Sequence, residues 1–173
     1  MKTFFKLILL MLGFPPAATE EQKVEKLITM REARDCHNAM VATLLEITYK
    51  AAAWALFHWN LPWFFESPLI SNPMNVKRAI GSLGWTVREL EDFRELQEGK
   101  MVPGKVGILV HCPDSEIKGT LMQHWVVWMG KDSKGNHLLH WGQKQELEVK
   151  TEEEMFALYR TGTPNCAFEV SKK

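Results

Sequence analysis

The sequence predicts an α+β domain. Up to Gly99 the apolar residues recur at helical spacing, and after it they gather in short β-branched runs separated by polar turns. Helices come first and strands afterwards, which places a helical layer beside an antiparallel sheet. With 173 residues, 46% of them hydrophobic, and 21 Lys+Arg balanced by 21 Asp+Glu, the chain has the make-up of one globular unit. That composition excludes a disordered tail and a charge-driven nucleic-acid coat, and no basic patch suggests a nucleic-acid partner.

Residues 1–18 carry Lys2 and Lys6, no acid, and the apolar run Leu7 to Leu12 ahead of Gly13-Phe14-Pro15-Pro16. This is the layout of a secretory signal, although Pro16 occupies a position where cleavage prefers a small side chain. The alternative is a hydrophobic segment that docks on a membrane or a protein; it is too short to cross a bilayer as a helix. Both readings favour a secreted, envelope or virion-associated setting. The remainder, 19–173, reads as a single domain.

Thr19 with Gln22 three positions on forms a capping box, with Glu20 and Glu21 on the first turn, so a helix is expected from there to about Arg31. Asp35 is the next cap. Behind it, Cys36 to Trp59 reads as one long helix, apolar at Ala39, Met40, Ala42, Thr43, Leu44, Ile47 and Ala51 and therefore central. Pro62, Pro68 and Pro73 break the chain into a loop bearing Trp63-Phe64-Phe65. Asn72 or Asn75 then caps a short helix, Val76–Leu83, which stops at Gly84. Alternating charges from Arg88 to Glu98 suggest a solvated helix.

Val106-Gly107-Ile108-Leu109-Val110, after Pro103-Gly104, has the character of a buried strand. A polar loop, Pro113 to Thr120, leads to His124-Trp125-Val126-Val127-Trp128-Met129. Lys131 to Asn136 turns the chain back into His137-Leu138-Leu139-His140-Trp141, making a hairpin. A helix near Glu152–Tyr159 and a strand Cys166–Val170 complete the expectation.

The three cysteines, Cys36, Cys112 and Cys166, are scattered and never form a CxxC pair, which argues against a disulfide framework and a structural zinc site. A nucleophilic thiol needs its thiolate form, and the positive end of a helix supplies help to Cys36, one residue after the cap. Cys112 and Cys166 sit at strand ends and read as small packing side chains. A general base must approach the sulfur from another element. His124 opens the first hairpin strand, and His140 on the returning strand is placed to fix its tautomer; Asn136 and His137 are rivals for that place, with strand parity against His137. His37, His58 and His111 read as surface or packing residues. A metal held by Cys36, His37, His111, Cys112 and His124 fits no known ligand spacing, and nothing demands a cofactor.

With Asp35-Cys36-His37-Asn38-Ala39, Gly107-Ile108-Leu109-Val110 and His124-Trp125-Val126-Val127-Trp128-Met129-Gly130 in this order, residues 30–170 resemble the papain-like superfamily of cysteine peptidases and amidases. The bacteriocin-processing peptidase-like branch shares the "DC" helix start and the "HWVV" strand. The NlpC-type cell-wall endopeptidase branch shares Pro103-Gly104 ahead of the middle strand and a histidine, here His140, as third member. The resemblance implies a papain-like fold, a peptide or peptidoglycan-like substrate, and a catalytic set of Cys36, His124 and His140 with no metal. Three departures stand beside it. Met30 occupies the place of the oxyanion glutamine, His140 that of the usual aspartate, and His37 that of a small residue. They motivate an alternative, a papain-like structural or binding protein without turnover; an acyl transferase of the same fold is a further one.

Overall fold

Alternation along neighbouring strands sets the architecture. The computed structural model describes residues 27–30, 36–60, 73–112, 122–161 and 166–173. Its elements are α1 (Cys36–Leu45), α2 (Tyr49–Asn60), α3 (Pro73–Ser82), β1 (Trp85–Glu89), α4 (Arg94–Gln97), β2 (Val106–Cys112), β3 (Met122–Lys131), β4 (His137–His140), β5 (Glu148–Lys150), α5 (Glu152–Thr161) and β6 (Ala167–Lys172). The strands form one six-stranded antiparallel sheet in the order β1-β6-β2-β3-β4-β5. Segment 1–18, the capping box at Thr19, the cap Asp35, the aromatic loop Trp63–Phe65 and the polar loop Pro113–Thr120 lie outside the described residues.

Because successive side chains of a strand face opposite ways, the sheet separates two cores. Leu109, Trp125, Val127, Phe168 and Val170 meet Met40, Val41 and Leu44 of α1 together with Leu56 of α2 and Ile80 of α3. On the other face Val106, Ile108, Val110, Val126, Trp128 and Leu139 meet Phe93, Leu96 and Met155. Gly107 lets α1 close on β2: a methyl group there would lie 3.1 Å from Phe168 Cζ, 3.2 Å from Leu44 Cδ1 and 3.2 Å from Met40 Sδ. The strands expected from the apolar runs, the hairpin turn and the late helix are all present. Asp132 Oδ1 builds the turn by accepting from the amides of Lys134 and Asn136, each at 2.8 Å.

Three local expectations differ. The long helix from Cys36 is two helices that turn through 118°. Glu46 adopts φ 54°, and the amides of Ile47 and Glu46 donate to the carbonyls of Ala42 and Thr43, the paired bonds that end a helix with a left-handed residue. Thr48 then opens α2, accepting on Oγ1 from the amide of Ala51. The charged stretch after Gly84 begins as strand β1 rather than a helix. Trp85 and Val87 pack on the helical core and Glu89, on the same face, is bonded to Lys77 of α3, while Arg88 on the other face is bonded to Glu95 and Glu169. Finally, residues 27–30 are not helical: the Ile28 amide donates to Thr43 Oγ1 at 3.1 Å and the Met30 amide to Gly142 O at 2.6 Å, which ties this segment across the structure. Among the described residues no single helix is long and apolar enough to cross a membrane.

Candidate functional site

Seven consecutive residues of α1, Ala39 to Leu45, are buried, so the helix is held in the core along almost its whole length. This fixes the position of Cys36, the half-buried residue on which α1 opens. Its thiol is not in a disulfide and packs against the edge of the helical core. Cys166 is buried within that core, as a small apolar packing residue would be.

His124 is placed by β3, opposite Val110 of β2. On its other side the pairing of β3 with β4 includes Trp128↔Leu139 and Val127↔His140, and β4 ends at His140. The chain then turns through Trp141-Gly142 towards α1. Gly142 has φ 72°, which disfavours any side chain, and a methyl group there would stand 3.3 Å from Ala39 Cβ and 3.4 Å from Met30 Cγ. Ala39 is one helical turn beyond Cys36. The Trp141-Gly142 segment therefore runs between the opening of α1 and the imidazole of His124.

Three hydrogen bonds fasten this segment. His124 Nε2–H donates to Trp141 O at 2.7 Å, His140 Nε2–H donates to Ile28 O at 2.9 Å, and the Met30 amide donates to Gly142 O. The His124 ring also stacks on the Trp141 indole, with centroids 5.4 Å apart and planes inclined by 27°. Since a carbonyl oxygen only accepts, both Nε2 atoms carry the proton, and in each neutral ring Nδ1 bears the lone pair. Burial pushes the His124 imidazole below the ordinary histidine value; the Trp141 carbonyl opposes that shift and nearby His140 adds to it. Burial likewise lowers His140, against the pull of the Ile28 carbonyl.

The structure thus brings His140 near His124 without joining their rings: His140 spends its N–H on Ile28, and its Nδ1 is buried with no hydrogen-bond partner among the described residues. His137 lies in the other core, where Nδ1 accepts from Trp128 Nε1–H at 2.9 Å and Nε2–H donates to Glu152 at 3.0 Å. Asn136 serves the hairpin turn, its amide group bonded to Asp132. Sequence reasoning missed Trp141 and Gly142. The glycine after an apolar strand was a readable signal for a turn, whereas a main-chain carbonyl leaves none. Among the described residues no cluster of three or more His, Cys, Asp or Glu could hold a metal ion.

A helical layer opening on a thiol, set against an antiparallel sheet that carries a histidine, is the α+β arrangement that the resemblance to papain-like peptidases led us to expect. Specifically, the chain is similar to the peptidase domain of Streptococcus ComA, a bi-functional ABC transporter involved in a quorum-sensing pathway. The TM-score is 0.60 at 17% identity, over 85% of this chain and 98% of that one. It is also similar to the peptidase domain of Streptococcus mutans ComA, with TM-score 0.55 and 17% identity over 85% of this chain and 99% of that one. Both are peptidase domains, and the α+β fold expected from the sequence is the fold this chain shares with them. No protein-family model and no curated protein matches the sequence.

Proposed function

We propose that this chain is a papain-like cysteine peptidase that cleaves a peptide or related amide bond, with Cys36 as nucleophile, His124 as general base and His140 in support of that base. The observation that carries the reading is the Trp141-Gly142 segment, which touches the first turn of α1 at Ala39 and holds His124 in one tautomer. Cys36 gives its proton to His124 Nδ1 and its electron pair to the carbonyl carbon. The C–N bond then breaks, and the departing amine takes that proton. Water, deprotonated by the same imidazole, releases the acyl group from sulfur. The amide at the opening of α1 is suited to receive the developing oxyanion. The similarity to peptidase domains supports a peptide substrate, and cell-wall stem peptides belong among the candidates to be assayed beside leader peptides.

The test joins labelling to turnover. Iodoacetamide should alkylate Cys36 faster than Cys112 or Cys166, and Cys36→Ala should abolish cleavage across the peptide panel. Equal labelling of all three thiols, or cleavage that survives Cys36→Ala, overturns the proposal. One observation favours a second reading, a peptide-binding domain without turnover: Met30 stands where papain-like peptidases have an oxyanion-donating glutamine. Peptide binding with no cleavage by the unmodified protein would select it.

A further inference from the structure

We infer that the third member of the catalytic set is not a side chain but the main-chain carbonyl of Trp141, and that His140 acts one step removed, as a positioning residue that holds this carbonyl in place. The inference rests on the peptidase reading above and deepens it. In a thiol–imidazole pair the third group has two tasks: it keeps one ring nitrogen protonated, and it fixes the ring plane. Trp141 does both, through its oxygen at 2.7 Å from Nε2 and through its indole stacked against the imidazole.

His140 is not available for the first task. Its one proton is on Nε2 and committed to Ile28 O, so it offers His124 only a second lone pair, which neither the protonated Nε2, already bonded to Trp141, nor the basic Nδ1 of a neutral His124 can use. It has a different use. His140 binds Ile28 on one side of Trp141 and Gly142 binds Met30 on the other, so the two bonds clamp the peptide that presents the carbonyl. Ile28 is itself fastened to α1 through Thr43. The opening of α1 and the rest on which His124 leans thus belong to one hydrogen-bonded frame.

A neutral carbonyl orients an imidazole but stabilises an imidazolium less than a carboxylate does. The alignment of the base in this chain therefore does not depend on a carboxylate at position 140.

The experiment is long-range proton–nitrogen NMR of the full-length chain labelled at histidine nitrogens, recorded without substrate at a pH where His124 is neutral. The Nε2–H tautomer is expected in the unmodified protein and also in His140→Gln, whose side-chain amide can still donate to Ile28 O. Gly142→Ala crowds Ala39 and Met30, shifts the carbonyl, and should mix the tautomers while lowering kcat on the order of 10²-fold with KM little changed. A Nδ1–H tautomer in the unmodified protein overturns the inference, as does loss of the preference in His140→Gln with the fold intact. Should Gly142→Ala fail to fold, the first two spectra decide. A Nε2–H tautomer in a protein that cleaves no peptide sustains the hydrogen-bond assignment and overturns the peptidase reading, so the two failures are distinct.

Discussion

His124 donates its Nε2–H to the main-chain oxygen of Trp141 at 2.7 Å while its ring lies stacked on the Trp141 indole. One residue thus fixes both the tautomer and the plane of the imidazole, and it does so from the end of the neighbouring strand, where β4 gives way to the turn at Gly142. The lone pair left on Nδ1 is the one available for proton transfer.

The first prediction concerns the acid limb of catalysis. Burial and the proximity of His140 lower the His124 value, so the imidazole stays neutral, and competent as a base, to a lower pH than an ordinary histidine. The acid limb of kcat/KM is expected below the ordinary value of about 6.5. A profile measured on any cleaved peptide checks this, and an acid limb above that value contradicts it.

What could be read from the sequence was the chemistry borne by side chains with strong local signals. Cys36 at a helix opening, His124 at a strand start and the Lys131–Asn136 turn each carry such a signal. The end of α1 did not, because its left-handed position is Glu46 and not the glycine or asparagine that usually marks one. Strand β1 was hidden because Arg88 and Glu89 continue into the charged run that follows and imitate a helical surface once Trp85 and Val87 are not recognised as an inward pair. The partner of His124 was beyond reach in principle, since every residue has a carbonyl and only tertiary structure selects one.

The break between α1 and α2 gives the second prediction. Thr48 caps α2 through its hydroxyl, which accepts from the Ala51 amide at 3.3 Å. Thr48→Ala should cost about 0.5–2 kcal/mol and Thr48→Asp should recover most of it, as read by urea denaturation. A neutral Thr48→Ala would mean that packing alone sets the break.

The third prediction concerns the second core, against which Trp141 packs. Trp128 is 2% exposed and donates Nε1–H to His137, whose other nitrogen donates to Glu152. His137→Leu leaves a buried indole N–H without an acceptor, a loss of about 1–3 kcal/mol in stability. Urea denaturation checks this, and an unchanged stability in His137→Leu would mean that the indole N–H finds another acceptor.

Two glycines should respond with opposite sign. Gly107 faces Phe168, Leu44 and Met40 at 3.1–3.2 Å from a substituted methyl, so Gly107→Ala overpacks the core and should destabilise by about 1–3 kcal/mol. Gly81 lies within α3 with nothing within 4 Å of such a methyl, so Gly81→Ala should stabilise by about 0.5–1 kcal/mol. Thermal unfolding of the two variants checks both, and a stabilising Gly107→Ala would mean that α1 does not close on β2 at this contact.

The last prediction is the dependence of stability on pH. Burial holds His124, His137 and His140 below the ordinary histidine value in the folded protein, whereas in the unfolded chain each protonates near pH 6.5. As pH falls through that value the unfolded state binds more protons than the folded one, so stability is complete above it and declines as pH drops towards the lowered folded values. Glu152 acts later. Burial alone would raise its carboxyl, but hydrogen bonds from Lys131, Gln97 and His137 outweigh it and hold the group at about 2, so its contribution is lost only below the ordinary glutamate value of 4.5. Between those two onsets the histidines dominate the slope. The melting temperature is expected to fall from pH 7.5 to pH 5.5, and His140→Gln should flatten that fall by removing one of the three groups. A melting temperature that rises over this interval would show that the buried histidines are charged in the folded state, and with them the assignment of His124 as a neutral base would fail.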